Sequence, residues 1–244
     1  MTNDRLIRIF APLAAGLMLV STALIFVWVP DDSKQGFSQH IFYIHVPIAL
    51  TAYACLLGGA CFAARHLITR NPEDDLRSYV GVHHGVIWGT LVLITGSLWA
   101  RREWGQWWDW SSQQLNVFLI IFLYYCAYFM LRFSIDDGPR RATYSSAFTL
   151  LGIGMVPLSW AAVHYAQDII HPQVFSKQGA NMEGTMFFTF LLSFAGVLCL
   201  ALTLMCVELR GKRLAKRIDR LNRAARGEPM LEPVIAPPVT ATPA

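Results

Sequence analysis

Charge is what this chain has least of. Only 15% of its 244 residues are Asp, Glu, Lys or Arg, against 55% hydrophobic, and the mean hydropathy is +0.41. A soluble domain cannot clothe its surface with so few charges, so the composition is that of a polytopic membrane protein. Paired cysteine is also missing. Cys55, Cys61, Cys126, Cys199 and Cys206 all fall inside apolar windows and none forms a C-x-x-C pair. That excludes a disulfide framework and a thiolate metal site, and leaves them as small core residues. There is no glycine-rich phosphate loop, so the chain itself hydrolyses no ATP. No row of intramembrane carboxylates marks a proton-coupled pump, and no span carries the stacked histidine pairs of a through-membrane electron carrier. No nucleic-acid partner is expected.

What the chain has in abundance is long apolar runs. A bilayer-spanning helix takes about 20 residues, and six windows qualify, at about 7–29, 41–64, 79–99, 115–134, 144–166 and 184–207. The expected fold is therefore an all-α integral membrane bundle of six transmembrane helices spanning residues 1–207. The first window lacks a small-residue cleavage site, which reads as a retained helix. Basic residues then set the orientation. Arg5, Arg8, Arg65, Arg70, Arg77, Arg132, Arg140, Arg141 and eight more between Arg210 and Arg226 fall on one side. Only Lys34, Arg101, Arg102 and Lys177 fall on the other. Sixteen against four puts both termini in the cytoplasm, with outward loops at about 30–40, 100–114 and 167–183. Residues 208–226 alternate basic and apolar side chains as a cytoplasmic surface helix does, a pattern that suits anionic headgroups better than a specific partner. The proline-rich stretch 227–244 reads as a disordered tail.

The outward loop after the third window holds Trp104-Gly105-Gln106-Trp107-Trp108-Asp109-Trp110, four of the chain's eight tryptophans in seven residues. Such a run is either an interfacial anchor or an aromatic shelf for a flat, greasy ligand. Asp109 is the only acid within it, placed to bond an indole N–H or to contact a partner protein. His45 lies just inside the outer start of the second window, where an unpartnered imidazole is costly. It either bonds a neighbouring helix or binds something. His171, in Asp168-Ile169-Ile170-His171-Pro172, sits just past the outer end of the fifth window, and His164 near the same end competes with it. Topology brings His45, His171 and the tryptophans to one membrane face at similar depth. Two neutral imidazoles beside indole rings are what an iron porphyrin requires, one imidazole for each axial position. Propionates would want cations or polar donors, and His40, Arg101 and Arg102 lie in the right segments. His83 and His84 begin the third window on the opposite side. They read as an interfacial polar pair or as an entry point for ligand.

Those residues resemble a known family, the haem exporter protein C (CcmC) family of cytochrome c maturation. Tyr43-Ile44-His45-Val46-Pro47 is similar to that family's histidine segment. Thr95-Gly96-Ser97-Leu98-Trp99 followed by Trp104 to Trp110 resembles its W-G-x-x-W-x-W-D segment, and His171 stands where its second outer histidine is expected. The resemblance covers about residues 7 to 207. It implies that His45 and His171 are the axial ligands of a haem b, with Trp104, Gly105, Trp107, Trp108, Asp109 and Trp110 forming the platform. It also implies work at the periplasmic face of the bacterial inner membrane. There haem would pass to the haem chaperone CcmE, beside the ABC transporter CcmA/CcmB and the small membrane protein CcmD, without covalent chemistry by this chain. Two departures stand out: Ser111 occupies the place of the motif's closing acid, and His40 a place where arginine is usual. The competing readings are a cytochrome c synthase-type component that attaches haem directly, and a non-haem transporter subunit with an aromatic belt.

Overall fold

In the computed structural model, residues 3–32, 35–158, 161, 175–176, 179–180 and 184–227 are described. Six helices are delimited among the described residues: α1 (Asn3–Val27), α2 (Phe42–Thr69), α3 (Pro72–Trp104), α4 (Gln113–Ser134), α5 (Pro139–Ile153) and α6 (Gly184–Ala225). A 3-10 turn, Phe37–Ile41, leads into α2, and β1 (Phe175–Ser176) pairs antiparallel with β2 (Gly179–Ala180). Among the described residues, five helical stretches are long and apolar enough to cross a membrane: α1, the 3-10 turn with α2, α3, α4 and α6. The all-α membrane class expected from hydropathy is the one observed. The fifth window, 144–166, extends past the last described residues of its segment.

α2 and α3 are the centre. One apolar cluster joins them to α4 through Leu56, Leu76, Val80, Ile121, Tyr125 and Tyr128. A second joins them to α6 through Ile48, Ala52, Cys55, Trp88, Val92, Val197 and Ala201. A third, Ile25, Val29, Tyr43 and Phe190, brings in α1. The two central helices touch backbone to backbone. A Cβ on Gly81 would lie 2.7 Å from the Gly59 Cα, so only glycine fits there. With lipid outside offering no hydrophobic drive between helices, such small-residue contacts let van der Waals packing hold the pair.

Local chemistry fixes the helix ends. Asn71 caps α3 by accepting the Glu73 N–H at 2.9 Å, Pro72 follows at the first helical position, and Glu73, Asp74 and Asp75 face the positive end of the dipole. Hydropathy sees none of this, which is why α3 begins at residue 72 rather than about 79. At its other end it runs on to Trp104, past the limit of about 99, and Gly105 closes it at φ +74°. Pro47 inside α2 leaves the Tyr43 carbonyl without its helical donor, and the Ser193 hydroxyl of α6 donates to that carbonyl instead.

The end opposite the tryptophans is tied by ion pairs. Arg132 donates to both Asp75 carboxylate oxygens at 2.8 Å and lies 4.8 Å from the Tyr79 ring centre. His83 Nδ1 is 2.9 Å from Glu208 Oε2, and His84 Nε2 is 3.0 Å from the same atom. The histidine pair thus bridges α3 to α6. From Arg210 on, the described residues belong to a unit of their own. Its helical residues, to Ala225, include Asp219 and Arg223, paired at 3.2 Å.

Candidate functional site

His45 is the fourth residue of α2, half-buried, and its Nδ1 lies 2.8 Å from the Thr95 hydroxyl of α3. That hydroxyl gives its own proton to the Leu91 carbonyl at 2.7 Å. It therefore accepts from the imidazole, Nδ1 carries the hydrogen, and the ring's lone pair resides on Nε2. Gly96 makes room for the ring, since a Cβ there would sit 3.0 Å from His45 Cε1. A neutral imidazole with a fixed tautomer is the form that ligates a metal.

The tryptophans begin above this histidine. Because α3 runs on to Trp104, eight residues separate Gly96 from that ring, about 12 Å of helix. The expectation of similar depth is corrected accordingly: His45 packs two turns below the tip of α3. Trp99 bridges the interval, meeting Trp104 edge to face with centroids 5.0 Å apart at 75°. Past Gly105 the chain turns back. Arg101 donates to the Gly105 carbonyl and lies 6.0 Å from the Trp107 ring centre, so this cation offsets the negative end of the helix dipole. Arg101 and Arg102 thus belong to the last turn of α3, not to the loop, and both are exposed.

The loop itself is held at both ends. Asp109 Oδ1 accepts from the Ser111 N–H at 2.9 Å and from the Ser111 hydroxyl at 2.7 Å. These bonds from the Ser111 side chain and backbone hold the Asp109 carboxyl below its usual pKa of 3.8. Its partner is therefore Ser111, within one tight turn. Ser112 then caps α4, and the Asn116 side chain donates to the Trp110 carbonyl at 2.7 Å. Trp107 and Trp110 are 56% and 73% exposed, and Trp108 and Trp110 pack with centroids 6.1 Å apart. Trp108 is different: its indole Nε1 is buried and has no hydrogen-bond partner among the described residues.

The 3-10 turn before α2 joins the same end, because the Ser38 hydroxyl bonds the Glu103 carboxylate of α3. His40 is enclosed there. Its Nδ1 is 2.8 Å from the Phe37 carbonyl, its ring lies parallel to Phe26, and Asp31 is 3.7 Å away. These contacts make His40 a brace for the turn. His164 and His171 lie outside the described residues. In sequence, Thr95 and Gly96 belong to the segment that precedes the tryptophans, with nothing beside them to mark His45 as their partner. The available signal was depth: both stand two to three turns below the tryptophans, opposite the first turn of α2.

This arrangement coincides with a match to the family described as Heme exporter protein C, over residues 1–224. The chain belongs to that family. A Heme exporter protein C of Paracoccus denitrificans is 31% identical over 207 residues, covering 81% of this chain and 86% of that protein. One from Escherichia coli is 27% identical over 208 residues, 82% of each. A ccmC-like mitochondrial protein of cytochrome c biosynthesis from Arabidopsis thaliana is 26% identical over 207 residues, 83% of this chain and 78% of that one. Membership in the Heme exporter protein C family, and five helical stretches among the described residues that are long and apolar enough to cross a membrane, make this a multi-pass membrane protein of a haem-handling, cytochrome c biogenesis family.

Proposed function

We propose that the protein binds haem b at the periplasmic face of the bacterial inner membrane and hands it to the haem chaperone CcmE. CcmA/CcmB and CcmD are its companions in this reading. The single observation that carries it is His45, held as the Nδ1–H tautomer with Nε2 as the ligating atom, two turns below a tryptophan-lined helix end. The residues suit the group in two further ways. Trp108 offers a buried indole N–H in need of an acceptor. Arg101 and Arg102 stand exposed at the same end as cations for propionates. His171 is the second axial ligand in this reading, with His164 the competitor. His40 is already engaged in the 3-10 turn and suits propionate binding less well.

Bound haem supplies an iron with two axial positions; the chain supplies a place to hold it loosely. His45 donates through Nε2. Trp104, Trp107, Trp108 and Trp110 cover the macrocycle, and Gly105 with the Asp109–Ser111 turn shapes the shelf on which they stand. A donor must release what it holds, and a half-buried ligand beneath exposed indoles is reachable by an acceptor's histidine. No covalent step falls to this chain. The test is the absorption of the purified, haem-loaded protein. Replacing both His45 and His171 by alanine is expected to abolish the Soret band or leave it to shift on adding imidazole. An unaltered haem spectrum in the doubly substituted protein refutes the ligand assignment, and His164→Ala in the same assay decides between the two outer histidines.

A further inference from the structure

We infer that Thr95 is a positioning residue for the haem iron: by tying its own proton to the Leu91 carbonyl, it fixes His45 for Nε2 ligation and keeps that ligand moderate in strength. The inference rests on the reading of His45 as an axial ligand. Its physical content is separate, because it concerns which partner the far side of the imidazole has.

The orientation of the Thr95 hydroxyl follows from its contacts. It stands 2.7 Å from the Leu91 carbonyl and 3.3 Å from the Val92 carbonyl, both acceptors only, so its hydrogen is committed to the helix. Toward His45 Nδ1, at 2.8 Å, it offers a lone pair. The opposite tautomer would leave Nδ1 facing that oxygen lone pair to lone pair. Gly96 adds the steric half of the device. With 3.0 Å between a would-be Cβ and His45 Cε1, the ring edge lies directly on the helix backbone, and its rotation is limited. Thr95 and Gly96 are adjacent, so one turn of α3 sets both the tautomer and the ring plane.

The chemistry of the partner matters as much as its presence. A carboxylate at Nδ1 pulls the proton hard and makes the other nitrogen a strong, imidazolate-like donor. A hydroxyl is neutral, and polarises the N–H less. His83 supplies the contrast within the same helix, where Nδ1 faces the Glu208 carboxylate at 2.9 Å. A site built to keep haem would be served by that second arrangement. A site built to give haem away is served by the first.

The primary experiment needs no haem. In protein labelled with 15N-histidine, long-range 15N–1H correlation spectra report which imidazole nitrogen is protonated, and His45→Ala identifies the His45 signals. His45 is expected as the Nδ1–H tautomer in the wild type and in Thr95→Ser, and as a mixture or the Nε2–H tautomer in Thr95→Val. A wild-type Nε2–H tautomer, or an unchanged tautomer in Thr95→Val, overturns the inference. The second experiment uses haem itself, transferred from the loaded protein to excess apomyoglobin. Loss of a partner behind a metal-ligating histidine costs about 10–100-fold in affinity, so Thr95→Val should release haem at least about tenfold faster, with the reduction potential shifted upward. Thr95→Ser should stay near wild type, and Thr95→Asp should release haem more slowly. If His45→Ala leaves spectrum and release unchanged, the ligand reading fails and takes the inference with it. If His45→Ala alters both while Thr95→Val alters neither, the inference alone fails.

Discussion

Gly81→Ala should damage the candidate site from about 20 Å away. The added methyl would lie 2.7 Å from Gly59 Cα, 2.8 Å from Gly59 N and 3.0 Å from the Cys55 carbonyl oxygen. Carbon contacts settle at about 3.5–4.0 Å, and all three obstacles are backbone, so no side chain can swing aside. α2 and α3 must part by about 1 Å at their crossing. Overpacking of this kind costs about 1–3 kcal/mol, which for a chain of this size corresponds to about 5 °C in Tm. The consequence at the site follows from helix geometry. Fourteen residues of α2 separate Gly59 from His45, and fifteen of α3 separate Gly81 from Gly96, about 21–23 Å in each case. An opening of about 1 Å carried along that antiparallel pair takes the His45–Thr95 contact from 2.8 Å past hydrogen-bonding range. Gly81→Ala should therefore melt earlier in detergent and retain less haem per protein, although it touches no site residue. Gly58→Ala is the control, since a Cβ there meets nothing within 4 Å. Helix propensity favours that change by about 1 kcal/mol. Matching circular-dichroism melts and haem occupancies for the two variants would refute the reasoning.

Two further predictions concern the ends of the bundle. Asp75→Ala strands the Arg132 guanidinium, which is only 5% exposed, and should cost about 3–5 kcal/mol in unfolding. Asp75→Leu with Arg132→Met should recover most of that, and a double variant no better than the single one counts against the pair. At the tryptophan end, Ser111 holds the folded-state Asp109 pKa below its unfolded value. Its stabilisation is thus present above the ordinary carboxylate range and lost as pH falls through the depressed value. Tryptophan fluorescence should report this acid transition in the wild type. Asp109→Asn, whose side-chain oxygen still accepts both bonds, should lack it; an identical transition in the variant means the carboxylate is not its source.

The helix inventory was legible because a membrane demands it. An apolar run of some twenty residues has few alternatives, and five of the six runs correspond to long apolar helices, while the described helix in the fifth ends at Ile153. The ends were less legible, for a physical reason. Hydropathy records where lipid contact stops, whereas helices stop where caps and glycine φ angles stop them. Asn71 and Gly105 lengthen α3 beyond its apolar part at both ends, and the second extension moves Arg101, Arg102 and Trp104 from loop to helix. The polar partners were illegible because they are tertiary. Nothing near Glu208 in sequence announces His83, 125 residues away, nor does anything near His45 announce Thr95, 50 residues away.

In the tryptophan loop, Asp109 and Ser111 work as one unit. The resemblance left Ser111 in the place of a closing acid, with Asp109 two positions early. In the structure those two side chains are bonded to each other, so carboxylate and hydroxyl share one turn. That turn fixes the path between Gly105, which ends α3, and Ser112, which begins α4. Three indoles are thereby presented on a short bridge between two helix ends, with the fourth, that of Trp104, on the last residue of α3. The order of that stretch comes from backbone caps and one acid–serine turn, so under the proposed function the shelf would stay in place as haem came and went. Below it, Thr95 holds His45 through Nδ1, and Gly96 lies against the Cε1 edge of the ring. In the proposed reading, the Nδ1 bond and the Asp109–Ser111 turn would order the site whether or not haem is bound, as a carrier requires.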